Sequence, residues 1–567
     1  MTLNCGWLRA SLLFVGIVFY AGSAWTPAWS TVDDGNEMLR VVELRQRLET
    51  MGFSFAAIGT HAADGGLFRP AFSCLKLIEY GLFGFDAWKH HLAHLVILLV
   101  LCQLLFSIVH RGTLSDGAAW LSGLMWVFFS PDVENWYRLN EASSFYPLAF
   151  ALPSLWCVVR AFSTASERVV LRWTLIVLSG VLLVPATFTR ETSVAFAGFA
   201  AALVIGCLLG IEPLLTRRNL ALAVGHLAAH LAVALAWYVL KQMTGVQPIS
   251  AGGYTSDYQL SAGVFIATAF KYADVVWNGY QLLFPIALVL IGQRLWSWAR
   301  GRRVLDSWDG WALVGLCWFA AVLAILLPWK HPIARYLGSG VPGLALFVGV
   351  TLWRFLSESA SNRSGARLPG TQWVRWVVIA NLAILPAISL VRNYNYLIFR
   401  HDYDLAGFQV VGTVAKEAPP HARLFMNMPA DSQFIFNEMM KLLRILHGRA
   451  DLAQVNFNAT GRPEPRRGDF LLVYVREPAT PRSTEASLPE SFHAATLERL
   501  KDRLSFVSRF RYERQLLNSY PDAPVFNLVT RLGIQLPDYL GMKPEHRRAL
   551  FMREPSLVEW RIYRFEM

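Results

Sequence analysis

Long apolar blocks separated by short polar segments dominate the first two thirds of the chain. A helix needs roughly 20 apolar residues to cross the hydrocarbon core of a bilayer, and blocks of about that length recur up to residue 391. Hydropathy predicts about eleven spanning helices, at residues 8–28, 88–109, 116–131, 143–162, 170–187, 192–211, 220–241, 278–297, 311–328, 336–356 and 373–391. The pattern therefore indicates an α-helical polytopic membrane protein.

The residues after the last apolar block follow a different pattern. Charged residues and prolines become frequent between residues 392 and 567, and no segment there is long and apolar enough to span. Short β-like runs alternate with helix-like stretches; the runs are 423–426, 470–475 and 558–565, and the stretches are 434–446 and 497–504. The chain is thus predicted to have a transmembrane module, residues 1–391, followed by a small α/β domain, residues 392–567.

The distribution of charge predicts the orientation of the chain. Only 16% of the residues are charged, and 54% are hydrophobic. Arginines such as Arg217 and Arg218 concentrate in alternate loops, which places the N-terminus in the cytoplasm and the C-terminal domain outside it. The net charge of +12 is then partly a topology signal, so we expect anionic membrane lipids and no nucleic acid as partners. The predicted location is the bacterial inner membrane, with a periplasmic C-terminal domain.

The first apolar block fits two interpretations. Small residues at 21–24 are compatible with a cleaved signal peptide, whereas an apolar stretch that continues to Trp29 favours an uncleaved anchor. In both cases residues 29–87 form a large outer loop.

Two adjacent acids, Asp33 and Asp34, follow directly in this loop. Carboxylates just above a membrane are suited to act as a general base for an acceptor hydroxyl. The competing interpretation is an N-terminal cap for an amphipathic helix over residues 37–48.

Other ionisable and aromatic residues lie in the remaining predicted outer loops. Each of them alone is typical of a residue that anchors a helix end. Together, several cations beside an acid-bearing loop would form a pocket for a lipid phosphate. The candidates are Arg69, Glu134, Arg138, Arg190, Glu191, Lys330, His331, Arg335 and Tyr336, with His91 near the outer end of the second span.

Several segments also resemble a known family. Arg69-Pro70-Ala71-Phe72, Gly81-Leu82-Phe83-Gly84-Phe85 and His91-Leu92-Ala93-His94 resemble the "RPL … LFG … HL-x-N" stretch of GT-C membrane glycosyltransferases. The nearest group is the one related to protein O-mannosyltransferases and to bacterial family 39 and RgtA-like enzymes. Residues 131–136, 190–191 and 334–337 resemble its "HP … E … W" loop, its Lys-Glu pair and its "ERYL". The order and sidedness of these motifs match over residues 30–345, with three departures: His94 replaces Asn, Arg190 replaces Lys and Ala334 replaces Glu.

The resemblance implies membrane-spanning helices, amphipathic helices in the first outer loop, and transfer of a sugar from a polyprenyl-phosphate-linked donor. Asp33 or Asp34 would be the base, and Arg69, Arg190 and Arg335 would hold the donor phosphate. The acceptor hydroxyl would belong to a glycan, a lipid or a protein, and direct attack on the donor would invert the anomeric centre. The first loop has no D-x-D, so we expect no metal or other cofactor.

Two other classes of function remain open. A transporter or lipid flippase places ionisable residues near the midplane and is often built from repeated halves. A polymerase or ligase of surface polysaccharide typically has its largest outer loop between late spans. In this chain the charges cluster at one face and the large outer regions follow the first and last spans, which favours the glycosyltransferase.

Overall fold

The structure is a computed structural model that describes most of the chain. The described residues are 28–29, 34–54, 57–58, 68–129, 145–244, 260–329, 334–361, 369–427, 433–477, 490–514 and 556–566. Five predicted site residues lie outside them, namely Asp33, Glu134, Arg138, Lys330 and His331, and so does the side chain of Arg335. The first predicted span also lies outside them, apart from its last residue.

Helices account for nearly all of the described residues up to 417. Two lie in the first predicted outer loop, α1 (Asp34–Met51) and α2 (Pro70–Phe83). The helices that follow are α3 (Ala87–Thr113), α4 (Asp116–Phe129), α5 (Tyr146–Ser163), α6 (Val169–Thr189), α7 (Ala197–Leu209), α8 (Leu220–Met243), α9 (Ala262–Tyr280), α10 (Leu283–Ala299), α11 (Ser307–Leu326), α12 (Val341–Ser361) and α13 (Pro369–Glu417). Short 3-10 helices cover Glu191–Phe196, Arg217–Asn219 and Ala334–Ser339.

The prediction of a polytopic helical membrane protein is confirmed. Among the described residues, seven helical segments are long and apolar enough to cross a membrane: Ala87–Thr113, Tyr146–Ser163, Val169–Thr189, Glu191–Leu209, Arg217–Met243, Ser307–Leu326 and Val341–Glu358. Leu283–Ala299 and Gln372–Leu385 are shorter apolar helices. The number of eleven spans stays a prediction.

Small residues and one ion cluster hold the bundle together. A Cβ at Gly315 of α11 would lie 2.5 Å from the carbonyl oxygen of Gly343 in α12, so these helices pack with their backbones in contact. At the end of the bundle that is predicted to be cytoplasmic, Arg354 binds both Asp306, at 2.6 Å, and the buried Asp309, at 2.8 Å. This cluster joins α12 to the N-terminal turn of α11.

The described C-terminal residues form a five-stranded sheet with helices, as predicted. The strands are β1 (Arg423–Met426), β2 (Ala453–Asn456), β3 (Phe470–Glu477), β4 (Leu504–Arg514) and β5 (Ser556–Phe565), and the helices are α14 (Gln433–His447) and α15 (Glu490–Leu500). The strand order is β2-β1-β3-β5-β4, with β1 parallel to β2 and β3, and β5 antiparallel to β3 and β4. The helix-like stretch predicted at 497–504 corresponds to the end of α15 and a 3-10 turn, Lys501–Arg503. The helix begins earlier than predicted, at Glu490, and the helical stretch ends before Leu504 because Leu504 pairs with Phe565 of β5.

One hydrophobic core joins the first outer loop to the C-terminal domain. Trp29, Met38 of α1 and Tyr80 of α2 are buried in the same cluster as Phe436 and Met439 of α14. The 49-residue helix α13 enters this cluster from the bundle and crosses the predicted domain boundary at 391 without a break. Helix α1, which carries Asp34, therefore packs on the C-terminal domain.

Candidate active site

Two of the predicted motifs meet in a bidentate ion pair. Arg69 directly precedes α2, and Pro70 begins the helix at a position where its missing N–H costs nothing. The guanidinium of Arg69 donates from Nε to Oε2 of Glu191 over 2.8 Å and from Nη2 to Oε1 over 2.5 Å. Burial by itself lowers the pKa of Arg69, but the Glu191 carboxylate raises it overall, so the arginine remains a cation. The pair uses two of the five N–H donors of the guanidinium.

A third motif adjoins this pair. Arg190 has extended backbone between α6 and the following 3-10 helix, which brings it beside Glu191. Its buried guanidinium stacks over the ring of Tyr336 with 5.2 Å between the guanidinium carbon and the ring centroid. The Arg-Pro, Arg-Glu and Arg-Tyr segments, which are far apart in the sequence, therefore converge at one end of the bundle.

The first turn of α1 brings two acids to the same region. Asp34 is the first residue of the helix and is 3% exposed, while Glu37, one turn later, is half-buried. Burial raises the pKa of Tyr80 well above its usual range, and the charges of Asp34 and Glu37 add to this rise. The charge of Glu37 also contributes to the raised pKa of Arg69. Glu37 thus lies close enough for its charge to act on both Tyr80 of α2 and Arg69.

A buried polar cluster lies behind these residues, centred on Glu79 of α2. Its carboxylate contacts Lys76 Nζ at 2.9 Å, His90 Nδ1 at 2.7 Å and His94 Nε2 at 3.1 Å, and it accepts a hydrogen bond from the Tyr146 hydroxyl. The side chains of Lys76, Glu79, His90 and His94 are at most 6% exposed. Tyr146 is 5% exposed as a whole residue. Although burial raises the pKa of Glu79, Lys76 and the two histidines hold it well below its usual range.

Sequence reasoning missed three residues of this region. Glu79 and Tyr146 lie within apolar helices and carried no motif, while Glu37 was taken only as part of an amphipathic stretch. His91, predicted near the donor, is buried beside the Glu79 cluster on α3. The only available signal for this cluster was the spacing of Lys76 and Glu79, three residues apart on one face of an apolar helix.

The described residues of this region form no metal centre. Among the described residues, no group of three or more histidine, cysteine, aspartate or glutamate side chains is arranged to hold a metal ion. Metal independence stays a prediction, since Asp33 at the start of the first loop lies outside the described residues.

Sequence comparisons leave the chain without a matched family. No protein-family model matches it. No curated protein matches it significantly in sequence.

Several solved structures match the chain over most of its length. ArnT from Cupriavidus metallidurans bound to undecaprenyl phosphate matches 89% of this chain and 96% of its own, with 15% identity and a TM-score of 0.46. The Archaeoglobus fulgidus oligosaccharyltransferase in complex with Zn and sulfate matches 97% of this chain and 88% of its own, with 10% identity and a TM-score of 0.47. The oligosaccharyltransferase AglB of the same organism, in complex with an inhibitory peptide and a dolichol-phosphate, matches 79% of this chain and 64% of its own, with 9% identity and a TM-score of 0.45. At these identities and TM-scores the matches carry no argument about activity, which has to be inferred from the residues of this chain.

Proposed function

We propose that this protein is a GT-C-type membrane glycosyltransferase. It transfers a sugar from a polyprenyl-phosphate-linked donor to an acceptor hydroxyl at the extracytoplasmic face of the membrane. Asp33 or Asp34 is the general base, and Arg69, Arg190, Arg335, Lys330 and His331 hold the donor phosphate.

One observation carries the proposal, namely the convergence of three arginine-containing motifs beside an acid-bearing helix. Arg69 and Glu191 are 122 residues apart and form a bidentate pair, and Arg190 stacks on Tyr336 next to it. Guanidinium groups match the geometry of phosphate oxygens and remain charged when they are buried. A site with buried cations on one side and carboxylates on the other is suited to phosphate departure coupled to proton removal.

The reaction follows from these roles. The carboxylate of Asp33 or Asp34 removes the proton of the acceptor hydroxyl, and the oxygen attacks the anomeric carbon from the face opposite the phosphate. The bond between the anomeric carbon and the phosphate oxygen breaks, and the lipid phosphate leaves with the electron pair. The cations stabilise the charge that develops on the phosphate, and the anomeric centre is inverted.

Glu191, which is partly exposed, determines how much of the positive charge of Arg69 is available to a donor phosphate. In the absence of donor it neutralises Arg69, so that this half-buried cation has a counterion. A donor phosphate would compete for the same guanidinium, whose planar group presents further N–H donors. The acid is thus expected to tune donor affinity rather than to take part in proton transfer.

The test is sugar transfer by the purified full-length protein. A labelled polyprenyl-phosphate monosaccharide is supplied together with small acceptor alcohols, and the released lipid phosphate and labelled product are both measured. The variant Asp33→Asn/Asp34→Asn should lose transfer by roughly 10²–10⁴-fold, the usual contribution of a general base. The matched control is Glu49→Gln, which removes an exposed acid from the far end of α1 and should leave the rate unchanged.

The outcomes separate the classes of function. Wild-type activity in the doubly substituted variant would remove Asp33 and Asp34 from the mechanism. Movement of the intact lipid across a bilayer without sugar transfer would identify a flippase, and elongation of a lipid-linked glycan would identify a polymerase.

A further inference from the structure

The N-terminal turn of α1 is bound by a side chain from the C-terminal domain. The first N–H groups of a helix have no partner within the helix and are usually bound by a capping side chain close in sequence. In this protein the N–H of Asn36, the third residue of α1, donates to Oε2 of Glu438 over 2.7 Å. The two residues are 402 positions apart. The carboxylate also suits the positive end of the helix dipole.

Lys441 completes this contact. It lies one turn after Glu438 on α14, and its Nζ donates to Oε1 of Glu438 over 2.6 Å and to Oδ1 of Asn36 over 3.2 Å. Glu438 is only 5% exposed, so its charge needs both the lysine and the helix N-terminus as partners. The three side chains and one backbone amide form a closed polar contact between α1 and α14.

The backbones of the two helices also approach closely at this point. A Cβ added to Gly35 would lie 2.8 Å from the carbonyl oxygen of Glu438 and 3.1 Å from Cβ of Lys441. Only glycine fits at this position unless the helices move apart. One turn further, the buried Met38 joins the hydrophobic cluster that α14 shares. The contacts with α14 of the C-terminal domain therefore set the position and direction of the first turn of α1.

We propose that Glu438 is a positioning residue for the acids of this turn. It fixes the start of α1, and with it Asp34, relative to the cations of the bundle. The C-terminal domain is then a structural part of the catalytic site and not only a candidate for acceptor recognition. The proposal rests on the glycosyltransferase function proposed above.

The experiment compares Glu438→Ala and Glu438→Gln with Glu498→Ala in the full-length protein. Glu498 forms an exposed pair with Lys501 at the same i, i+3 spacing in the same domain, so it is a matched control. We measure kcat and KM for a polyprenyl-phosphate-sugar donor, the thermal midpoint, and hydrogen exchange of the peptides that cover α1 by mass spectrometry. We expect kcat of Glu438→Ala to fall about 10-fold or more with little change in donor KM, because misplacement of a catalytic group by about 1 Å costs up to ~10²-fold. Glu438→Gln, which retains one acceptor oxygen, should recover part of kcat.

Hydrogen exchange makes the two proposals separable. Amides in the first turn of α1 should exchange faster in Glu438→Ala than in Glu498→Ala, whether or not sugar transfer is detected. An unchanged exchange rate overturns the contact itself, and faster exchange with unchanged kcat overturns the positioning role. If the wild-type protein transfers no sugar but hydrogen exchange responds as expected, the glycosyltransferase proposal and the positioning role of Glu438 are both wrong. The contact between Glu438 and α1 is then still confirmed.

A second pair of variants covers the case in which Glu438→Ala does not fold. Gly35→Ala pushes α1 away from α14, whereas Gly81→Ala adds a Cβ on α2 where no atom lies within 4 Å. Gly35→Ala should lower kcat and Gly81→Ala should not. Equal activity of the two variants overturns the proposal.

Discussion

The Glu79 cluster predicts an unequal response to the loss of its two charged partners. Glu79→Gln removes the carboxylate that four buried donors share, among them the ammonium of Lys76, whose side chain is 2% exposed. Breaking a buried ion pair in this way costs about 3–5 kcal/mol. Lys76→Met retains most of the lysine volume, and Glu79 still has His90, His94 and Tyr146 as partners. The loss of unfolding free energy in Lys76→Met should be nearer the ~1.5–3 kcal/mol of one hydrogen bond to a charged group.

The double variant Lys76→Met/Glu79→Gln tests the explanation directly. Removal of both charges avoids a buried ammonium that has lost the Glu79 carboxylate, so the double variant should be more stable than Glu79→Gln alone by about 1–2 kcal/mol. Reversible denaturant unfolding of the detergent-solubilised protein at pH 7.5, followed by tryptophan fluorescence, gives the four free energies of the cycle. The exposed pair Glu498 and Lys501, at the same spacing, serves as the control cycle and should show coupling close to zero.

Additive effects at Lys76 and Glu79 would refute this reasoning. So would a larger loss from Lys76→Met than from Glu79→Gln, since it would mean that the lysine and not the carboxylate is the centre of the cluster.

Three further predictions concern pH and the roles of single residues. Burial raises the pKa of Glu79, but Lys76 and the histidines lower it overall. The contribution of Glu79 to stability is therefore present above the ordinary carboxyl pKa of about 4.3 and is lost as the pH falls through the lower folded-state pKa. The stability difference between wild type and Glu79→Gln should be constant from about pH 5.5 to 8 and should shrink in acid. Glu37→Gln should lower kcat less than Asp33→Asn/Asp34→Asn does, and an equal or larger loss in single-turnover assays would contradict the assignment of the base to the aspartates alone. Arg69→Ala should raise the KM for the lipid donor by about 10-fold or more, because a charge-assisted contact to phosphate is lost, whereas the exposed Arg45→Ala on α1 should not, as steady-state kinetics with varied donor will show.

Features that depend on local sequence were predictable. The span expected at 88–109 corresponds to α3 (Ala87–Thr113), and the runs expected at 423–426 and 470–475 correspond to β1 and β3. Length and apolar content decide whether a segment can cross a membrane, and a short apolar run after turn residues favours a strand. The helix expected after Asp34 was also recovered, since an acid before an apolar-periodic stretch is a strong start signal.

Features that depend on contacts between distant residues were not predictable. Lys76 and Glu79 interrupt an apolar helix, and only the fold shows that His90, His94 and Tyr146 surround them. Likewise, no local pattern links Asn36 to Glu438. The predicted topology placed the arginine motifs at the same face of the membrane. Only the fold shows that Arg69 pairs with Glu191 and that Arg190 lies over Tyr336.

The candidate site therefore depends on two bodies that pack against each other. Its acids lie on α1, whose apolar face is buried with α14 and the sheet, and whose first turn is bound by Glu438. Its cations lie at the end of the bundle, where Arg69 is tied to Glu191 between α6 and α7. Arg69 directly precedes α2, and Tyr80 of α2 stacks on Trp29 within the shared core. Helix α2 is therefore the element that connects the two bodies. A change in the packing of the C-terminal domain is then expected to shift the proposed base on α1 relative to Arg69, which is why substitutions far from the arginines should act on kcat rather than on donor binding.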